Sequence, residues 1–184
     1  MTVVVALAHK GAVTMGADRL AVSGGGVMVP FTKVWVQQKH GLKWLFGMSG
    51  TASFTQAVQE QMEFPPNPPG ENLYAYLASV WLPLMRDKLL KRNELFDKDG
   101  DVKNGAAMLI GVRGQIFRLA PFSIHRVDQS FDAIGSGEGA AYGALYALEK
   151  LQSRLTPKEK IRLAIKAADM RYNTVGGKYD IISA

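Results

Sequence analysis

Apolar positions along this chain follow two rhythms. From Val3 to Ala8 the sequence is apolar without a break, His9-Lys10-Gly11 interrupts it, and Ala12–Ala17 resumes it. Short apolar runs rich in β-branched residues and joined by a glycine turn predict a β-hairpin. The same device recurs in Lys33–Val36 and Leu42–Met48 around Lys39-His40-Gly41, and in Ala106–Val112 and Gln115–Ala120 around Arg113-Gly114. Further strands are predicted near Ile124, over Phe131–Ile134 and over Tyr179–Ser183.

The second rhythm has a spacing of three to four. Phe54, Ala57, Val58 and Met62 predict a helix over Thr51–Met62, and Leu73, Leu77, Val80, Leu84 and Leu89 predict one over Glu71–Asn93, kinked at Pro83. Pro65-Pro66-Asn67-Pro68-Pro69-Gly70 forbids helix and strand alike, and Gly24-Gly25-Gly26 reads as a loop. Two helices follow, Gly139–Gln152 and Pro157–Arg171. The second opens on Thr156-Pro157-Lys158-Glu159, a capping box with proline at the first helical position. Strands and helices thus come in separate blocks, which predicts an α+β fold. Two antiparallel sheets face to face, with helices outside each, would bury every apolar face.

Composition narrows the function. A length of 184 residues fits one domain, 1–184, and there is no cysteine. Disulfides, thiolate metal sites and cysteine catalysis are therefore excluded, and a cytoplasmic setting is expected. No run of about 18 apolar residues predicts a membrane span. The apolar start is too short for a secretory signal and lacks a basic leader segment. The net charge is +6, but the basic residues are dispersed apart from Lys88, Lys91 and Arg92 on one predicted helix and Lys158, Lys160 and Arg162 on another. Solvated helix faces explain both groups, so neither nucleic acid nor membrane is expected as a partner.

Several motifs dissolve on inspection. Gly135-Ser136-Gly137-Glu138-Gly139 lies between a strand and a helix, but a dinucleotide fingerprint needs glycine at position 140, which is alanine. Asp97-Lys98-Asp99-Gly100-Asp101 places its glycine two residues early for a calcium loop, and Met108 stands where the bidentate glutamate belongs. His9, His40 and His125 are too scattered for a zinc site, and no G-x-S-x-G elbow is present. A triad assembled in space is not excluded by sequence. No metal or cofactor is implied.

The front of the chain carries more chemistry. Thr2 becomes the N-terminal residue once Met1 is removed. A free α-amine has a pKa of about 7.7–8.0, so hydroxyl nucleophile and base then sit on one residue. Alone, a Met-Thr start means little. In order along the chain, however, come Thr2-Val3-Val4-Val5-Ala6-Leu7, Gly16-Ala17-Asp18-Arg19, Thr32-Lys33-Val34, Gly47-Met48-Ser49-Gly50-Thr51-Ala52, Ala133-Ile134-Gly135-Ser136-Gly137 and Gly176-Gly177-Lys178-Tyr179-Asp180-Ile181-Ile182. This ordered set resembles the proteasome β-subunit and HslV peptidase family of N-terminal nucleophile hydrolases over nearly the whole chain. Between Asp18 and Lys33 the chain is one residue shorter than the family.

The resemblance implies the four-layer αββα sandwich of that family and a threonine-type endopeptidase. Thr2 would be the nucleophile, Asp18 and Lys33 the charged support, and Ser136 the group orienting the amine. Backbone N–H at Ser49 or Gly50 would hold the oxyanion. Ala21 and Val22, with Val22–Gly26 along the cleft, would bind an extended polypeptide substrate, and Met48 with Phe46 would wall the first specificity pocket. It further implies a homo-oligomeric ring of twelve or fourteen subunits, with an ATP-dependent unfoldase as a possible partner. Two departures stand out: the family's aspartate and serine ahead of the closing glycine pair are Tyr172 and Val175 here. Ser53 also stands near the place of a usual aspartate. Two other readings share the fold, a catalytically inactive ring-forming scaffold and an amidase acting on small molecules.

Overall fold

The three predicted hairpins close through two-residue turns whose second member is glycine. Lys10-Gly11, His40-Gly41 and Arg113-Gly114 all have positive φ at both residues, from 47° to 78°. This is the turn type whose twist matches that of paired strands, and glycine adopts it without steric cost. The computed structural model describes residues 2–22, 28–61, 63, 72–90, 106–120 and 123–184. The expected loops at 24–26 and 65–70, the 97–101 segment, Lys91 and Arg92 lie outside the described residues.

β1 (Val4–His9), β2 (Ala12–Asp18), β10 (Phe131–Ile134) and β11 (Tyr179–Ser183) form one sheet in the order β10-β1-β2-β11. β5 (Val34–Lys39), β6 (Leu42–Ser49), β7 (Ala107–Val112), β8 (Gln115–Ala120) and β9 (Ser123–Arg126) form the second, in sequence order. Every pairing in both is antiparallel. A two-stranded ribbon of β3 (Leu20–Val22) and β4 (Met28–Pro30) stands apart.

The unbroken apolar runs are explained by strands covered on both faces. In and beside β1, Val3, Val5 and Leu7 point to a cluster under helices α4 (Glu138–Lys150) and α5 (Pro157–Arg171), where Ala141, Leu145, Ile161, Ile165 and Ala168 meet them. Val4 and Ala6 point the other way, to a layer between the sheets with Met15, Val34, Leu45, Leu109 and Ile134. In β6 the split repeats: Leu45 faces the other sheet, while Trp44, Phe46 and Met48 face α1 (Ala52–Gln61), α2 (Leu73–Tyr76) and α3 (Leu82–Leu90). The architecture is the expected αββα sandwich. Gly47 allows the sheets to close, since a Cβ there would meet Val4 and would stand 2.7 Å from Met15 Sδ.

α5 begins as predicted, with Thr156 and Glu159 bonding reciprocally and Pro157 at the first turn. The helix expected to kink at Pro83 instead widens just before it. Leu77–Trp81 forms a π-helical turn in which Leu82 N–H bonds Leu77 O. Proline lacks the N–H for an α-helical bond, and a π turn is one way a helix absorbs such a fault. Among the described residues no helix is long and apolar enough to cross a membrane.

Candidate active site

The site lies where the ends of β1, β2 and β6 meet the Ile134–Gly137 turn. Thr2, directly before β1, is 5% exposed. Its backbone N–H donates to Ser136 Oγ at 3.1 Å, and Ser136 Oγ donates back to the Thr2 carbonyl at 3.3 Å. Gly137 N–H also reaches that carbonyl, at 3.2 Å. Gly135 makes the approach possible. Its φ of +96° disfavours a side chain, and a Cβ there would collide with the Thr2 carbonyl oxygen.

Asp18 ends β2 with its side chain fully enclosed. Its Oδ1 accepts Val3 N–H at 2.9 Å, and its Oδ2 accepts Leu20 N–H at 3.2 Å and Gly176 N–H at 3.3 Å. Lys33 Nζ bonds both carboxylate oxygens at 2.9 Å and donates to Leu20 O at 2.7 Å. Burial pushes the Lys33 ammonium below its ordinary 10.5, and the charge and hydrogen bonds of Asp18 oppose that shift. Lys33 thus reaches the site from the segment between β4 and β5, with its charge fixed by a carboxylate that three backbone amides hold in place.

A cavity of about 240 Å³ opens beside these groups. Thr2, Ala21, Lys33, Met48, Gly50, Thr51 and Ala52 line it, as do Leu20, Phe31 and Thr55, which the sequence does not single out. Thr55 is 2% exposed and donates its hydroxyl to Thr51 O one helical turn back. A buried threonine on an otherwise apolar helix face was the available signal. Ser49 stands at the end of β6, where its hydroxyl donates to Ala107 O at 3.4 Å, and it does not line the cavity. Val22 pairs with Met28 in the short ribbon and is likewise not a lining residue. Phe46 is corrected: it does not wall this cavity but is 0% exposed and stacks on Trp35 at 5.5 Å. It shares a face of β6 with Met48 but lies two residues, about 7 Å, farther along the strand.

Tyr172 and Val175 both join the apolar cluster beneath α5, Val175 with 2% exposure. Arg19 lies beside the site without entering it, ion-paired with Asp180 at 3.2 Å and bonded to Thr32 Oγ1. Near Gly176 two partly buried groups pair in a way that the sequence does not signal: Tyr179 OH donates to Asp169 Oδ2 at 2.6 Å.

The arrangement gathers a hydroxyl residue, an enclosed ammonium–carboxylate pair and a backbone turn at the mouth of one pocket. No protein-family profile and no curated protein matches the chain in sequence. Solved structures do match in shape. BPH from Thiobacillus denitrificans, solved in complex with epoxomicin, shares 22% identity at a TM-score of 0.79, covering 100% of this chain and 98% of its own. HslV from Trypanosoma brucei shares 14% at a TM-score of 0.73, covering 99% and 98%. Anbu from Pseudomonas aeruginosa, described as a helical assembly, shares 14% at 0.71, covering 100% and 81%. The chain thus has the fold of these solved structures, a four-layer αββα sandwich.

Proposed function

We propose that this protein is an N-terminal threonine peptidase that acts on peptides or unfolded polypeptides. One observation carries the reading: Thr2 and Lys33 line the same cavity, with Asp18 enclosed behind the lysine. After removal of Met1, Thr2 Oγ attacks the substrate carbonyl carbon and its proton passes to the α-amine, directly or through one water. The C–N bond breaks as the amine product leaves with a proton, and water then hydrolyses the ester on Thr2. Lys33 favours the developing alkoxide electrostatically, and Asp18 keeps the lysine charged in a site whose burial opposes charge. Ser136 Oγ, already on the Thr2 nitrogen, orients the amine. The Gly50 N–H is the preferred oxyanion donor because Gly50 borders the cavity, a contribution worth about 3–4 kcal/mol in other hydrolases. Met48, Ala52 and Phe31 give the pocket an apolar lining, which favours apolar side chains at the cleaved residue.

The chain works as a single domain in a cytoplasmic homo-oligomer, a closed ring of twelve or fourteen subunits to which an unfoldase could deliver substrate. The helical assembly of Anbu supports oligomerisation, and mass photometry that finds only monomer at micromolar concentration refutes it. Protein with Met1 removed, verified by intact mass, should hydrolyse a hydrophobic fluorogenic peptide and gain the mass of epoxomicin at Thr2. Thr2→Ala should abolish both without loss of fold. Undiminished turnover in Thr2→Ala rejects the mechanism. Absence of turnover and labelling in processed wild type favours the second reading, an inactive scaffold, which rests on the apolar placement of Tyr172 and Val175.

A further inference from the structure

We propose that Asp169 and Tyr179 are a positioning pair for the Asp18–Lys33 ion pair, clamping the α5–β11 connection so that Gly176 N–H stays on Asp18. The proposal rests on the peptidase reading and adds two residues to it.

Asp169 lies in the last turn of α5 and Tyr179 is the first residue of β11, so the 172–178 connection runs between them. The Tyr179 hydroxyl donates to Asp169 Oδ2 at 2.6 Å and closes that connection like a clasp. Lys166 Nζ holds the same oxygen at 3.0 Å from one turn earlier on the helix. The other oxygen, Asp169 Oδ1, lies against Gly176, 3.0 Å from where a Cβ would stand. Gly176 in turn donates its N–H to Asp18 Oδ2, the oxygen that Lys33 holds at 2.9 Å. Tyr179 is also the strand partner of Asp18 in the β2–β11 register. A short chain of contacts therefore joins the hydroxyl of Tyr179 to the ammonium of Lys33. Tyr172 and Val175, within the connection, pack into the apolar cluster and supply no polar anchor for Gly176.

A fold-stabilising role alone would not single out one step of turnover. If the clamp sets the carboxylate, loosening it changes the chemical step and spares substrate binding, because the cavity walls are formed by other elements. Small displacements matter here, since a misplacement of about 1 Å can cost on the order of 100-fold in rate.

The test uses the assembled, Met1-processed protein with Tyr179→Phe, Asp169→Ala and Asp169→Asn. Tyr179→Phe removes one oxygen and should lower kcat about tenfold with KM within about twofold of wild type. Asp169→Ala should lower kcat at least as far. Asp169→Asn should restore most of it, because its amide oxygen still accepts from Tyr179. Independently of activity, hydrogen exchange of the 173–178 segment should accelerate in Tyr179→Phe and Asp169→Ala but not in Asp169→Asn. Unchanged kcat and exchange in Tyr179→Phe, or a loss confined to KM, overturns the proposal, even if Asp169→Ala fails to fold. If wild type shows no turnover, the peptidase reading falls and the exchange measurements alone decide whether the clamp holds Gly176.

Discussion

Replacing either member of the enclosed ion pair should abolish turnover, but the two losses should differ in stability. Asp18 accepts three backbone N–H groups besides Lys33, and Lys33 donates to Asp18 and to Leu20 O. Lys33→Met replaces the ammonium with an apolar chain of similar length and leaves the carboxylate on its three amides. The orphaned Leu20 carbonyl and the unpaired charge place the cost near the low end of the range for a broken buried pair, about 3 kcal/mol. Asp18→Ala strands an ammonium that is 4% exposed and removes the acceptor from Val3, Leu20 and Gly176. That cost should reach about 5 kcal/mol or more. The expected gap of about 2 kcal/mol is roughly a 30-fold difference in the unfolding equilibrium. Urea unfolding at one fixed protein concentration, followed by fluorescence of Trp44 and Trp81, both 0% exposed, measures it. Equal destabilisation, or a larger loss in Lys33→Met, would refute the claim that backbone amides hold this carboxylate independently of its cation.

Two further outcomes are expected. Gly47→Ala should destabilise by about 1–3 kcal/mol in the same assay, because its methyl would press on Val4 and Met15 between the sheets, and a neutral result would mean that the layers can separate freely. The Tyr179 hydroxyl, then the Lys166 ammonium, holds the Asp169 carboxyl below its usual 3.8. A folded-state pKa below the unfolded one gives stability that is fully present above pH 3.8 and lost as pH falls through the lowered value. Asp169→Asn should therefore flatten the acid limb of a thermal-melt series below pH 3.8, and an unchanged slope there contradicts the shift.

What the sequence made legible followed local rules. Lys-Gly, His-Gly and Arg-Gly dipeptides between apolar runs marked the three tight turns, and Thr156 with Glu159 marked the start of α5, because such signals lie within a few residues of one another. Unbroken apolar runs also implied layers on both sides of the strands. The π turn before Pro83 was read only as a kink, since a helix can absorb a missing N–H in more than one way. The β3–β4 ribbon escaped because three-residue strands are too short to show alternation. At the site, the order of family-like segments brought Thr2, Asp18, Lys33 and Ser136 into view. The pairing of Asp169 with Tyr179 was invisible: each sits on an element whose pattern already accounts for it, and only the tertiary fold brings hydroxyl to carboxylate.

The placement of β1 between β10 and β2 has a consequence for how the protein is made. One neighbour, β2, follows it immediately, but β10 begins at Phe131, and the Thr2–Ser136 bond spans 134 positions. The Gly176–Asp18 bond spans 158. Closing such distant pairings is slow, because chain entropy is lost before the contacts reward it. A ribosome releases a chain from its front, so Thr2 emerges long before Ser136. Until about residue 176 is free, the early strands expose unpaired edges, Thr2 stands apart from Ser136, and Asp18 lacks the Gly176 amide. Translation order therefore completes this cluster of contacts only late in synthesis, which makes the first hairpins the part most in need of a chaperone.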